Sequence, residues 1–334
     1  MRKKATTFLL LLNVFLLTLH VSGQDVAYTQ FYANPLYLNP ALAGSKICPR
    51  MTINYRNHLP ALNKGYVSYS ASYDQHLDNL SGGIGILINA DNFRSGVLTD
   101  YSANLMYSFK FRVFRHLTVN TALEAGYIQH NLNWGKLLFE DQIVPGTYEI
   151  IPTSEPVPEH TLRGNIDYAT GLLIGYRESM YIGAALHHIT EPDMAFYSGN
   201  LNRLDMKITV HAGAYINLVD KFWRGEPEDP AIAPNIVYMQ QGVFKQLNAG
   251  TYLNLYPLST GIWIRHTVDA INTMDAVMVL IGIQQPRFKV GYSFDYPLGR
   301  VNILSGGAHE LSFAWQFDCP KKEMKYRAIK CPEF

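Results

Sequence analysis

Three histidines and a carboxylate lie near one another in the second half of the chain: His187, His188 and Glu191 in "HHITEP", with His211 further on. Such side chains relay protons, hold a metal or activate a nucleophile when they converge in space. No nucleophile stands beside them in any recognisable motif, and Ser179 and Ser198 read as loop residues. Neighbouring residues of a strand point to opposite faces, so at most one of His187 and His188 is expected to share a face with Glu191. His309 and Glu310 raise the same question and read as structural hydrogen-bonding groups. The glycine-rich pieces "SGGIGI" and "SGGAHE" lack the lysine and the helix of a phosphate loop. Cys48, Cys319 and Cys331 lack the paired spacing of a zinc site. The expectation is a non-enzymatic protein with no catalytic residue, no metal and no cofactor.

The elements that would position these groups are strands. In "DMKITVHAGAYINL" Met206, Ile208, Val210, Ala212 and Ala214 alternate with Lys207, Thr209, His211, Gly213 and Tyr215. In "FKVGYSFDY" Val290, Tyr292, Phe294 and Tyr296 oppose Lys289, Gly291, Ser293 and Asp295, and in "HELSFAWQFD" Leu311, Phe313, Trp315 and Phe317 oppose Glu310, Ser312, Ala314 and Gln316. The alternation in "DYSANLMYSFKF" is of the same kind. Strands of soluble sandwiches run about five or six residues, whereas a tilted transmembrane strand needs roughly 9–11. One apolar and one polar face over that length predicts a transmembrane antiparallel β-barrel, apolar toward lipid and polar toward the lumen.

About fourteen such segments are expected within residues 50–318, near 50–56, 66–74, 82–91, 97–109, 117–129, 165–177, 179–188, 205–218, 232–241, 244–256, 259–267, 275–285, 288–296 and 308–318. An even number puts both termini on the periplasmic side of a bacterial outer membrane. The connections 130–164, 189–204 and 297–307 then fall outside the cell, and short turns fall inside. The exception is 219–231, a long mixed-charge inner connection. Composition agrees, with only 16% charged residues, 13% aromatic residues and a net charge of +1, which argues against nucleic acid as a partner.

Residues 1–23 have the basic start (Arg2, Lys3, Lys4), apolar run (Phe8 to Leu19) and small residues (Ser22, Gly23) of a signal peptide, with cleavage expected before Gln24. Residues 24–49 precede the first strand and carry two Asn-Pro steps, Asn34-Pro35 and Asn39-Pro40, among apolar side chains. Proline suits neither a helix interior nor a central strand, so a compact irregular segment is expected, folded into the lumen as a plug or seating a partner at its mouth. Residues 319–334 form a tail with Lys321, Lys322, Lys325, Arg327 and Lys330 against Glu323 and Glu333, a basic arm suited to docking an envelope partner. Cys319 and Cys331, with eleven residues between them, are the disulfide candidates; Cys48 pairing with either tail cysteine is the rival.

The segments "QFYANPLYLNPALAGS", "INYRNHLPAL", "LNWGKLLFEDQI", "YIGAALHHITEP", "VGYSFDYPLG", "GGAHELSFAWQFDC" and "YRAIKCPEF" occur in the order seen in the PorP/SprF family, which the whole mature chain resembles. One departure is at His58 and Leu59, where family members more often carry Gln-Trp. The resemblance implies an outer-membrane component of the type IX secretion and gliding-motility apparatus. Its implied partners are periplasmic lipoproteins or peptidoglycan-binding proteins of that machine, and an exported adhesin or cargo protein. The alternative is a channel for hydrophobic solutes, since fatty-acid channels also carry Asn-Pro-Ala in an N-terminal hatch.

Overall fold

The computed structural model describes residues 24–46, 48–61, 65–144, 146, 149–177, 179–199, 201–218, 229–268, 274–298 and 306–319. The expected signal peptide, residues 219–228 of the inner connection, the tail residues Lys321, Lys322, Lys325, Arg327, Lys330 and Cys331, and Phe334 lie outside them.

The alternating segments are strands: β1 (Arg50–His58), β2 (Tyr66–Leu77), β3 (Gly82–Phe93), β4 (Leu98–Phe114), β5 (Leu117–Leu132), β6 (Leu162–Tyr176), β7 (Met180–His187), β8 (Lys207–Ala214), β9 (Ile216–Asn217), β10 (Ala231–Gln241), β11 (Phe244–Leu255), β12 (Leu258–Thr267), β13 (Met274–Gln284), β14 (Phe288–Pro297) and β15 (Ala308–Gln316). Apart from β8 and β9, each pairs antiparallel with its sequence neighbours, and β1 pairs with both β2 and β15, so the sheet closes on itself. β8 and β9 are two pieces of one barrel strand, both paired with β10. Between them the Tyr215 N–H donates to the Ser179 carbonyl at 2.7 Å, continuing the β7–β8 register past the Met180–Ala214 pair. Among the described residues the barrel thus has fourteen strands.

Several strands outrun their expected lengths. β4 extends to Phe114, and β6 starts at Leu162. The exposed face is an apolar belt that includes Ile53, Ile86, Leu105, Leu123, Ile166, Ile182, Ile262, Val279 and Leu311. A continuous belt of this kind is at home in lipid. No helix among the described residues is long and apolar enough to cross a membrane.

The two rims differ. One carries the short turns 78–81, 115–116 and 256–257, together with the start of β1 and the end of β15. Phe288 and Trp315 stack there at 6.5 Å, and Tyr73 meets Phe317 edge-on at 6.2 Å. The other rim carries the long connections between β5 and β6 and between β7 and β8. These are internally tied: Ile143 bridges Ile150, and Asp193 bridges Arg203. The N–H groups of Asn202 and Ala195 hold the Asp193 carboxyl below the usual carboxylate range.

Residues 24–46 lie inside the barrel. Leu36, Asn39, Ala41 and Leu42 are almost completely buried, and the hydrogen bonds of the segment run to strands on all sides of the wall.

Candidate functional site

The luminal segment is held from one rim to the other, mostly by side chains that the strand alternation points inward. At the long-loop rim the Asp25 carboxylate accepts from His188 at 2.9 Å, from Lys207 at 3.1 Å and from Gln241 at 3.2 Å, and the Asp25 N–H donates to Gln241 at 2.9 Å. His188 spans two carboxylates, with Nδ1 2.8 Å from Asp167. Both ring nitrogens therefore donate, and the ring is an imidazolium. The segment expected to fold from the short-turn mouth reaches, at its first described residues, the opposite rim.

One level down, a buried ionic cluster grips the backbone. The N–H groups of Thr29 and Gln30 donate to the two oxygens of Glu310 at 2.7 and 3.1 Å, and Thr29 Oγ1 donates to Asp295 at 2.7 Å. Arg56 bridges Asp295 at 2.8 Å and Glu310 at 3.0 Å, and Arg265 reaches Asp295 at 3.0 Å. The Gln30 side chain donates to Ser293 and to the Glu310 carbonyl and accepts from Ser312. Glu310 is thus a structural hydrogen-bonding group, as its sequence setting suggests. Below it the wall turns apolar. Phe31 meets Trp263 at 5.1 Å, and Tyr32 meets Tyr181 at 6.0 Å and Tyr252 at 6.5 Å, within one cluster with Leu38, Leu42, Val237 and Met278.

The two Asn-Pro steps start two short turns. Pro35 occupies the first turn of the one-turn helix Pro35–Leu38, and Pro40 opens the 3-10 turn Pro40–Leu42, positions where a missing N–H costs nothing. Asn39 caps the second turn by accepting from the Ala41 N–H at 2.9 Å. Its amide nitrogen donates outward to the Leu172 carbonyl at 3.1 Å and the Ala184 carbonyl at 3.2 Å, and lies 3.0 Å from His211 Nε2. A Cβ at Gly171 would collide with the Asn39 side chain and one at Gly183 with the His211 ring beside it, which explains two glycines in mid-strand. Asn34, Pro35, Asn39 and Pro40 are all buried against the wall.

At the short-turn rim Gly44, at φ +61°, donates to Asp74, which Arg50 holds through two nitrogens at 2.9 and 3.1 Å. Cys48 is bonded to Cys319. This corrects the expected Cys319–Cys331 pair. Closure of the barrel pairs Arg50 with Gln316 and sets the Phe317 N–H on the Pro49 carbonyl at 2.9 Å, which leaves the two cysteines with Cα atoms 4.4 Å apart.

Between the luminal segment and the long-loop rim lies a cavity of about 330 Å³. His187 and His188 both line it, contrary to the expectation that only one would face inward. β7 ends at His187, and His188 adopts φ +56°, which breaks the alternation and returns its ring to the lumen. Glu191 takes no part; Asp25 and Asp167 are the carboxylates that meet His188. His211 sits deeper, on Asn39. Nothing in this arrangement sets a nucleophile against a base. Sequence reasoning missed the Arg56–Asp295–Glu310 cluster, whose signal was three charged residues on the polar faces of strands in a chain with few charges.

One family model, described as type IX secretion system membrane protein PorP/SprF, matches residues 20–315. A search of the curated proteins finds no match. Among solved structures, the chain is similar to the toluene transporter TodX of Pseudomonas putida (11% identity, 85% of this chain and 94% of that one, TM-score 0.49). It is also similar to the outer membrane protein Omp33 of Acinetobacter baumannii (9% identity, 82% and 100%, TM-score 0.46) and to a Pseudomonas aeruginosa FadL homologue (10% identity, 88% and 99%, TM-score 0.43).

Proposed function

The chain belongs to the PorP/SprF family of type IX secretion system membrane proteins, and on that premise we propose that it is a closed-lumen docking platform of the secretion machine. Its short-turn face, with residues 219–231 and the basic tail 319–334, binds periplasmic lipoproteins or peptidoglycan-binding proteins. Its long-loop face supports secretion or surface attachment of an exported protein. In this reading the short-turn rim is periplasmic, as in single-chain bacterial barrels, and residues 24–46 are a plug.

The observation that carries the proposal is the seating of the luminal segment. A barrel of fourteen strands is wide enough to conduct, yet this one devotes Arg56, Asp295, Glu310, His188 and Lys207 to holding a chain segment across its lumen. A platform needs a rigid barrel with unlike faces and has no use for a pore. The second reading, a channel for hydrophobic solutes, has the cavity beside the long loops in its favour and the ionic seating of the plug against it.

Affinity purification from outer membranes in mild detergent tests the proposal, comparing the full chain with one ending at Cys319. That end point keeps the Cys48–Cys319 bond, and heat-modifiable gel mobility checks folding. Envelope lipoproteins or exported proteins that accompany the full chain and vanish with the shorter one are the expected result. Two folded barrels that purify alone, together with uptake of a hydrophobic solute by both, would transfer the assignment to the channel.

A further inference from the structure

The cavity above the luminal segment contains more acceptors than the protein satisfies. Three of its carboxylates are matched: Asp25 by His188, Lys207 and Gln241; Asp167 by His188; and Asp100 by His130. Two others have an oxygen with no hydrogen-bond partner, Glu124 Oε2 and Asp91 Oδ1, and Asn89 Oδ1 is in the same condition. Glu124 and Asn89 are each only 7% exposed, so these acceptors face the cavity with little surface open to solvent. All three atoms accept, and the fourth unpartnered atom, His187 Nε2, donates or accepts according to its tautomer.

A buried carboxylate without a counter-charge is costly, so a ligand that restores one binds with that gain. An anion or a purely apolar molecule leaves Glu124 as it is. A metal ion is disfavoured because, among the described residues, no three His, Cys, Asp or Glu side chains are grouped to hold one. The rest of the wall supplies apolar surface from Leu87, Ile128 and Leu204 and the rings of Tyr37, Tyr66 and Tyr101. One of those rings already receives a cation, since Lys207 Nζ lies 4.4 Å from the Tyr37 centroid.

We propose that the cavity is a binding site for an organic cation, an ammonium or guanidinium group on a short apolar stem, with Glu124 as its counter-charge. The cationic group donates to Glu124, the stem packs on the tyrosines, and Asn89 and Asp91, nearer the rim, add to the attraction. Free amines and the lysine or arginine side chain of a polypeptide share this chemistry.

Isothermal titration of the full chain in maltoside detergent tests it, with isoamylamine and butylguanidine as free cations, acetyl-Gly-Lys-Gly-amide as the peptide, and isoamyl alcohol and isovalerate as neutral and anionic controls. Saturable binding of a cation is expected, with neither control binding. Glu124→Gln should weaken it at least tenfold, Asp91→Asn by a few-fold, and Asn89→Asp should tighten it. Binding of the free cations assigns the site to small amines; binding of the peptide alone, lost in Glu124→Gln, assigns it to a polypeptide side chain. No saturable binding of any cation overturns the proposal, as does equal binding of amine and alcohol. If Glu124→Gln fails to fold, the Asn89→Asp variant decides, and unchanged affinity there also overturns it.

Discussion

Thr29 and Glu310 stand 281 positions apart in the chain and 2.7 Å apart in the molecule, the N–H of the one donating to the carboxylate of the other. The bond joins the luminal segment to the last strand, beside the seam where β15 meets β1. Arg56, on β1, reaches Glu310 across that seam and Asp295 on β14. Closing the barrel and seating the segment are therefore one event: the cluster that receives Thr29 and Gln30 exists only once the first and last strands have paired.

Removing the cation from this cluster tests that coupling. Arg56→Leu leaves the buried Glu310 without its cationic partner and removes one of the two that Asp295 has. Loss of one partner from a buried ion pair costs about 3–5 kcal/mol. The expected outcome is a lower temperature of loss of heat-modifiable mobility, together with protease cleavage within residues 24–46. A barrel whose segment stays protected would show that the aromatic cluster around Trp263 suffices to seat it.

Gly83 and Gly85, two residues apart on β3, should respond unequally to alanine. A Cβ on Gly83 would lie 2.5 Å from the Gly44 Cα and collide with the Ala43 carbonyl, both of them backbone. On Gly85 it would meet the Met106 and Leu36 side chains at 2.8 and 2.9 Å, and side chains move more cheaply. Overpacking costs about 1–3 kcal/mol. Gly83→Ala is expected near the upper end of that range and Gly85→Ala near the lower, read as the difference in thermal unfolding in detergent. Equal effects would mean that the segment's backbone shifts freely against the wall.

The positions of these strands are legible in the sequence because lipid enforces one apolar face over nine or more residues. Glu310, Ser312, Asp295 and Ser293 therefore fall on the luminal side as their alternation requires. What is not legible depends on contacts that the alternation does not encode. In β10 to β13 the luminal face is itself apolar at Val237, Tyr252, Trp263 and Met278, because the luminal segment and not water covers it. His188 escapes the period of two through one positive φ. The gap between β8 and β9 faces Pro234 of β10, which has no N–H to give the ladder, and the expected strand 205–218 carries no trace of it. The double Asn-Pro segment announces that it is compact and apolar, but not that Asn39 caps its own turn and clamps two strands at once.

That double role makes Asn39 sensitive to the choice of replacement. Asn39→Ala removes the cap, worth about 0.5–2 kcal/mol, and leaves the Leu172 and Ala184 carbonyls without its amide. Asn39→Asp keeps the cap acceptor, yet turns an oxygen toward those two carbonyls in place of a donor. The aspartate is therefore expected to be the more destabilising of the two despite its closer shape. Thermal unfolding of both variants beside the wild type checks the order, and the reverse order would show that capping outweighs the clamp.

The Cys48–Cys319 bond fastens the chain just before β1 to the chain just after β15, so it locks the seam at the short-turn rim. Peptide mapping without reduction should recover the two cysteines in one cross-linked fragment. Cys48→Ser and Cys319→Ser should each lower the unfolding temperature by the same amount, for a loss of about 2–4 kcal/mol. The double variant should be no worse than either single one, because the two cysteines act through one bond. Cys331→Ser should leave that temperature unchanged. A fragment joining Cys319 to Cys331, or a Cys331→Ser variant as labile as Cys48→Ser, would move the bond into the tail and leave the seam held by its hydrogen bonds alone.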